Sequence, residues 1–123
     1  MIRAWLVIAA ISGFLSVAAG AVAAHLSAGD RTAGLLRTGA LYGMIHATAL
    51  VGVAAMAEFH GRPTRGLITA GWCFAIGTIL FSLSLFGMAL TGIEWFGLVT
   101  PFGGVGLIVG WAALALHAFD RGR

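Results

Sequence analysis

Residues 66–93 read GLITAGWCFAIGTILFSLSLFGMALTGI, a run with no charged side chain between Arg65 and Glu94. A helix needs roughly 20 residues to cross about 30 Å of hydrocarbon, so this run is long enough to span a bilayer. The pattern recurs along the chain. Charges are confined to Arg3; Asp30, Arg31 and Arg37; Glu58, Arg62 and Arg65; Glu94; and Asp120, Arg121 and Arg123. Between them lie uncharged stretches at 4–29, 38–57, 66–93 and 95–119. The fold class this predicts is all-α: an integral membrane protein built as an antiparallel four-transmembrane-helix bundle. A single membrane domain over residues 1–123 is expected, with spans at about 4–25, 38–57, 65–91 and 101–119.

Composition points the same way. Hydrophobic residues make up 60% and charged residues 9% of the chain, and the mean hydropathy is +1.02. That leaves too little polar surface for a soluble domain, and the stretch from His25 to Arg37 is too short to fold alone. The pI near 10.6 comes from arginines scattered over loops and tails, with no basic face, which argues against nucleic acid as a partner. The lipid bilayer is the expected surrounding. Ala21-Val22-Ala23 behind an apolar run and Arg3 has some character of a secretory leader. The run is longer than a usual signal core, so a retained first helix is expected. With four spans, Arg3, Arg62, Arg65, Arg121 and Arg123 share one side and Arg31 and Arg37 the other. The positive-inside rule then predicts both termini in the cytoplasm, with Trp95 and Phe96 anchoring the outer interface and Trp5 the inner.

Helix ends follow from capping chemistry. Asp30 or Ser27 is expected to cap the second helix and Arg62-Pro63-Thr64 to precede the third. Thr100-Pro101 reads as an N-cap followed by proline at the first helical position, starting the fourth helix there and leaving 92–99 as a loop. Membrane helices must associate by close packing, and the small residues supply it. Gly20 in the first helix, Gly39 and Gly43 in the second, Gly77 in the third, and Gly103, Gly106 and Gly110 in the fourth recur at helical spacing and are the predicted packing positions. Gly103-Gly104-Val105-Gly106 lacks both a third glycine at position 109 and a βαβ context, so it does not read as a phosphate loop.

Polar residues inside the spans need partners. His46 lies about 12 Å inside the second span, with Ser16 and Ser82 at nearly its level and Tyr42 one turn away on the same face. A ladder from His25 through Tyr42 to His46 is conceivable. The candidate cluster comprises His25, Tyr42, His46, Ser16, Ser82, Ser84 and Thr100, with His46 as a neutral imidazole bonded to hydroxyls of neighbouring helices. Two other roles compete for it: a proton or solute path, and a metal or haem site built from His25 and His46 with Met44 or Met88. The ligand spacing is wrong for the second. Cys73 has no partner cysteine in the chain, and no acidic residue falls within the spans to complete a nucleophilic triad. No catalytic residue, metal or cofactor is expected, and the chain is not expected to be an enzyme.

Several motifs taken in order resemble a known family: Gly20-Ala21 then Ala24-His25, Tyr42 with His46-Ala47, Phe81-Ser82-x-Ser84-Leu85, Thr100-Pro101-Phe102-Gly103-Gly104, and Gly110-Trp111. The chain is identified by them as similar to the domain of unknown function 423 family (UPF0382), whose eukaryotic relatives are named transmembrane protein 256. Leu83 stands where that family usually has glycine and Phe86 where it usually has tyrosine. The resemblance implies four spans and a plasma-membrane location, and it implies no activity. Abundant packing surface with little convergent chemistry predicts a non-catalytic accessory or scaffold subunit of a larger membrane complex, or a homo-oligomer. The alternative is a small transporter or channel using the polar cluster around His46.

Overall fold

The computed structural model describes residues 1–27 and 29–121; Arg123, counted above with the charges, lies outside them. The described residues form α1 (Ile2–Ala24), α2 (Arg31–His60), α3 (Arg65–Thr91) and α4 (Phe96–Arg121). All four are long and apolar enough to cross a membrane. Short turns join them, so successive helices run antiparallel. One end of the bundle carries the α1–α2 and α3–α4 turns, and the other carries both termini and the α2–α3 turn. At a rise of about 1.5 Å per residue, α2 is about 45 Å long and overshoots the hydrocarbon at both ends.

Local chemistry sets most boundaries. The Asp30 carboxylate accepts from the Thr32 N–H at 2.8 Å, and the Thr64 hydroxyl accepts from the Leu67 N–H at 3.2 Å, each meeting a free donor of a first turn. Gly61 (φ 63°) and Gly92 (φ 71°) end α2 and α3 in the left-handed region that glycine adopts without penalty. The start of α4 differs from expectation. The helix begins at Phe96 and Pro101 lies inside it. Its entry is tightened by bonds from Gly97 N–H to Glu94 O and from Leu98 N–H to Trp95 O, both 3.0 Å. A membrane helix accommodates an internal proline where neighbouring helices and hydroxyls stabilise the interrupted turn, and here Thr100 packs against α3 and does not cap.

The helices are not equivalent. α3 is central, packed against α2 and α4 along its length and touching α1. Half of its most apolar window (50%) is buried within the protein, against 17% for α1 and 22% for α4. α1 leans chiefly on α2, and α4 chiefly on α3.

The glycines act in two ways. At Gly77 and Gly103 the backbones of α3 and α4 touch: a Cβ on Gly103 would collide with the Phe81 backbone nitrogen, and one on Gly77 would lie 3.1 Å from the Gly103 carbonyl. Elsewhere glycine is a socket for a larger group. Gly39 receives the Phe86 ring, Gly110 the Phe74 ring, and Gly43 the Ser16 and Ser82 hydroxyls. Gly71, absent from the predicted series, receives the Trp5 ring. That contact corrects the reading of Trp5, which is fully buried in the core and is no interfacial anchor. Gly20 is also corrected: a Cβ there would meet only Ala40 Cβ at 3.8 Å, an ordinary contact. A Cβ on Gly106 would lie 3.4 Å from Gly77 Cα, close but not demanding.

Candidate functional site

His46 stands at the middle of α2 with 4% of its surface exposed. Its Nδ1 lies 2.7 Å from the Tyr42 carbonyl, which can only accept, so Nδ1 carries the proton. Its Nε2 lies 3.0 Å from the Trp111 indole nitrogen, which can only donate, so Nε2 accepts. The two contacts fix one neutral tautomer. Aromatic rings enclose it: Tyr42 stacks alongside at 6.1 Å, Phe74 lies at 5.7 Å and Trp111 at 6.0 Å.

The predicted cluster therefore exists in pieces. His46 is satisfied by an indole and a main-chain carbonyl, not by the expected hydroxyls. Ser82 donates to the Gly39 carbonyl at 2.9 Å and ties α3 to α2. Ser84 and Thr100 share a 2.7 Å hydroxyl contact between α3 and α4, and Ser84 also reaches the Phe81 carbonyl. Ser16 does share the level of Ser82, both converging on Gly43, yet its Oγ has no hydrogen-bond partner among the described residues. Buried Thr78 is unpartnered in the same way. Tyr42 offers its ring to Phe81 at 4.8 Å. His25 is exposed at the end of α1 and stays outside the group. The ladder from His25 to His46 does not form, because His25 lies exposed at the C-cap of α1.

Trp111 is the participant that sequence reasoning missed. It lies in the quoted Gly110-Trp111 pair, and an indole N–H placed mid-span by that pair was the available signal. A second link lies at the end of the bundle that carries the α1–α2 and α3–α4 turns, where Arg31 forms an ion pair with Glu94 at 2.8 Å and its guanidinium also approaches Met88 Sδ at 3.7 Å. At the opposite end of the bundle, Thr64 Oγ1 meets His117 Nδ1 at 2.6 Å, fastening the start of α3 to the end of α4. Among the described residues no group of three or more His, Cys, Asp or Glu side chains is placed to hold a metal ion.

The contacts gather many of the residues that carried the family resemblance: Tyr42, His46, Ser82, Ser84, Thr100, Gly103 and Trp111 lie at the α2–α3 and α3–α4 junctions, while Gly20 and His25 on the α1 side stand apart. Residues 19–104 match the family described as "Protein of unknown function (DUF423)". The chain belongs to the DUF423 family. This DUF423 protein is 37% identical over 124 residues to the "UPF0382 inner membrane protein YgdD" of Escherichia coli (strain K12), covering 98% of this chain and 93% of the relative. It is 34% identical over 119 residues to the "UPF0382 membrane protein YwdK" of Bacillus subtilis (strain 168), covering 94% and 96%. It is 31% identical over 120 residues to the "UPF0382 membrane protein SAB0533" of Staphylococcus aureus (strain bovine RF122 / ET3-1), covering 95% and 96%. No solved structure matches. Four span-length helices and these relatives mark the DUF423 protein as a multi-pass protein of the plasma membrane.

Proposed function

We propose that the protein works by association and not by chemistry, as a non-catalytic scaffold subunit that pairs with a second copy of itself, with both termini in the cytoplasm. The observation that carries this is the open seam between α1 and α3. It forms a groove of about 170 Å³ continuing into one of about 410 Å³, the two sharing Leu15, Leu83 and Phe86. Thr78, with its unpartnered hydroxyl, lines the mid-membrane part.

Beside the groove stands a ridge. Ile11 and Val22 form part of its wall, and Phe14 protrudes from the same helix with 73% of its surface exposed. A twofold axis along this seam seats the ridge of each copy in the groove of the other, the self-complementary arrangement of an isologous dimer. Lipid chains are as apolar as the groove, so shape complementarity and not hydrophobic segregation supplies the preference for protein.

Native mass spectrometry of protein released from lipid nanodiscs tests this. Wild type is expected as a dimer and Phe14→Ala as predominantly monomer, with unchanged helical content. A wild-type monomer, or a Phe14→Ala dimer, would overturn the self-pairing. The orientation has its own test: a C-terminal green fluorescent fusion is expected to fluoresce and a C-terminal alkaline phosphatase fusion to be inactive. The reverse result would place the termini outside, against the arginine distribution.

A further inference from the structure

A second cleft, on the other side of α3, is organised for a different occupant. Phe74, Phe81 and Met88 recur at heptad spacing and so form one strip along α3. Each meets α2 or α4: Phe74 lies 5.0 Å from Trp111, Phe81 lies 4.8 Å from Tyr42, and Met88 lies under the Arg31 guanidinium. Phe81 is the floor of a cleft between α2 and α4, with Phe74 and Met88 one heptad to either side of it on the same strip. Two links bracket the strip, the His46–Trp111 hydrogen bond between α2 and α4 at the foot and, at the mouth, the ion pair of Arg31 with Glu94 in the turn before α4. From Met88 to Phe74 the strip runs about 20 Å.

Between the links lies a hollow of about 460 Å³, walled by Tyr42, Ile45, Gly104 and Ile108. Gly104 keeps it open. Packing does not require glycine there, since a Cβ would meet the Phe81 ring only at 3.7 Å. A larger side chain would project into the hollow.

The mouth supplies charge complementarity. Arg31 and Glu94 hold opposite charges 2.8 Å apart on side chains 60% and 69% exposed, and an exposed pair of this kind opens at little cost. A guanidinium binds phosphate through its fork of N–H donors, and a carboxylate accepts from a primary ammonium. We propose that the α2–α4 cleft binds a zwitterionic phospholipid with a primary ammonium group, its phosphate on Arg31, its ammonium on Glu94 and one acyl chain along the Phe81 floor to Trp111. An anionic glycerol headgroup satisfies Arg31 but repels Glu94. A quaternary ammonium headgroup brings the charges without the N–H donors. The proposal is independent of the α1–α3 seam.

The test is native mass spectrometry of delipidated protein titrated with phosphatidylethanolamine, phosphatidylcholine and phosphatidylglycerol of identical dioleoyl chains. Phosphatidylethanolamine is expected to bind about tenfold more tightly than either of the others, the factor set by a charge-assisted hydrogen bond. Glu94→Gln, outside the spans, is expected to abolish the preference over phosphatidylcholine while leaving helical content unchanged. Gly104→Leu is expected to remove binding of all three by filling the hollow, with the His46–Trp111 contact verified by tryptophan fluorescence. Equal binding of the three lipids, a preference for phosphatidylglycerol, or unchanged binding in a folded Gly104→Leu protein would each overturn the proposal.

Discussion

Gly103→Ala is expected to destabilise the bundle by about 1–3 kcal/mol, the usual cost of forcing an extra carbon into a packed interior. The added Cβ would collide with the Phe81 backbone nitrogen and lie 2.8 Å from the Phe81 Cα. Main chain cannot rotate away as a side chain can, so α4 must shift along its whole contact with α3. Gly20→Ala is the matched control, because its Cβ would find only Ala40 at 3.8 Å. Both substitutions gain the same intrinsic helix preference, of about 1 kcal/mol. Their difference in unfolding free energy in mixed detergent micelles therefore isolates the α3–α4 contact. Equal stabilities would show that the two backbones do not meet at Gly103.

The second large effect is expected at His46. His46→Asp replaces the Nδ1–H donor with an acceptor facing the Tyr42 carbonyl and places an ionisable carboxylate near mid-membrane, at a cost of about 2.5–3.5 kcal/mol on insertion scales. His46→Leu keeps the bulk and leaves the Trp111 N–H unmet, for a loss of about 1 kcal/mol, the scale of interhelical hydrogen bonds in membranes. Accumulation in the membrane and unfolding midpoint should both rank wild type above leucine and leucine above aspartate. Adding Trp111→Phe should cost less in the His46→Leu background than in wild type, because the donor is already unpaired there. A leucine variant as damaged as the aspartate one would show that the ring's hydrogen bonds, and not its neutrality, dominate.

The architecture was legible because hydrocarbon penalises charge so strongly that charge positions mark the membrane's edges. Asp30, as one of two candidate caps with Ser27, and the helix start at Arg62-Pro63-Thr64 were legible for a similar reason: a helix start leaves donors that only a few side chains can meet. The start of α4 was misread because proline at a first turn and proline within a membrane helix look identical in one dimension. The hydroxyl partners assigned to His46 were misread for a different reason. Depth along a helix axis can be counted from sequence, but rotation about that axis is set by packing. A turn of about 100° per residue decides whether Ser16 or Trp111 faces the imidazole. Gly71 escaped notice in the same way, since the Trp5 ring that fills it arrives from α1 and leaves no mark on the local spacing.

The hydrogen bond that closes His46 has a consequence for how the protein is made. Synthesis delivers α1, α2 and α3 to the bilayer before α4, so the imidazole enters hydrocarbon while its Nε2 still lacks a donor. The Gly77–Gly103 contact waits for the same late segment. Completion of the chain thus coincides with the pairing of the His46 acceptor. A product ending before Trp111 retains an unmet acceptor at mid-membrane, which makes unfinished molecules chemically different from finished ones while both are still in the lipid.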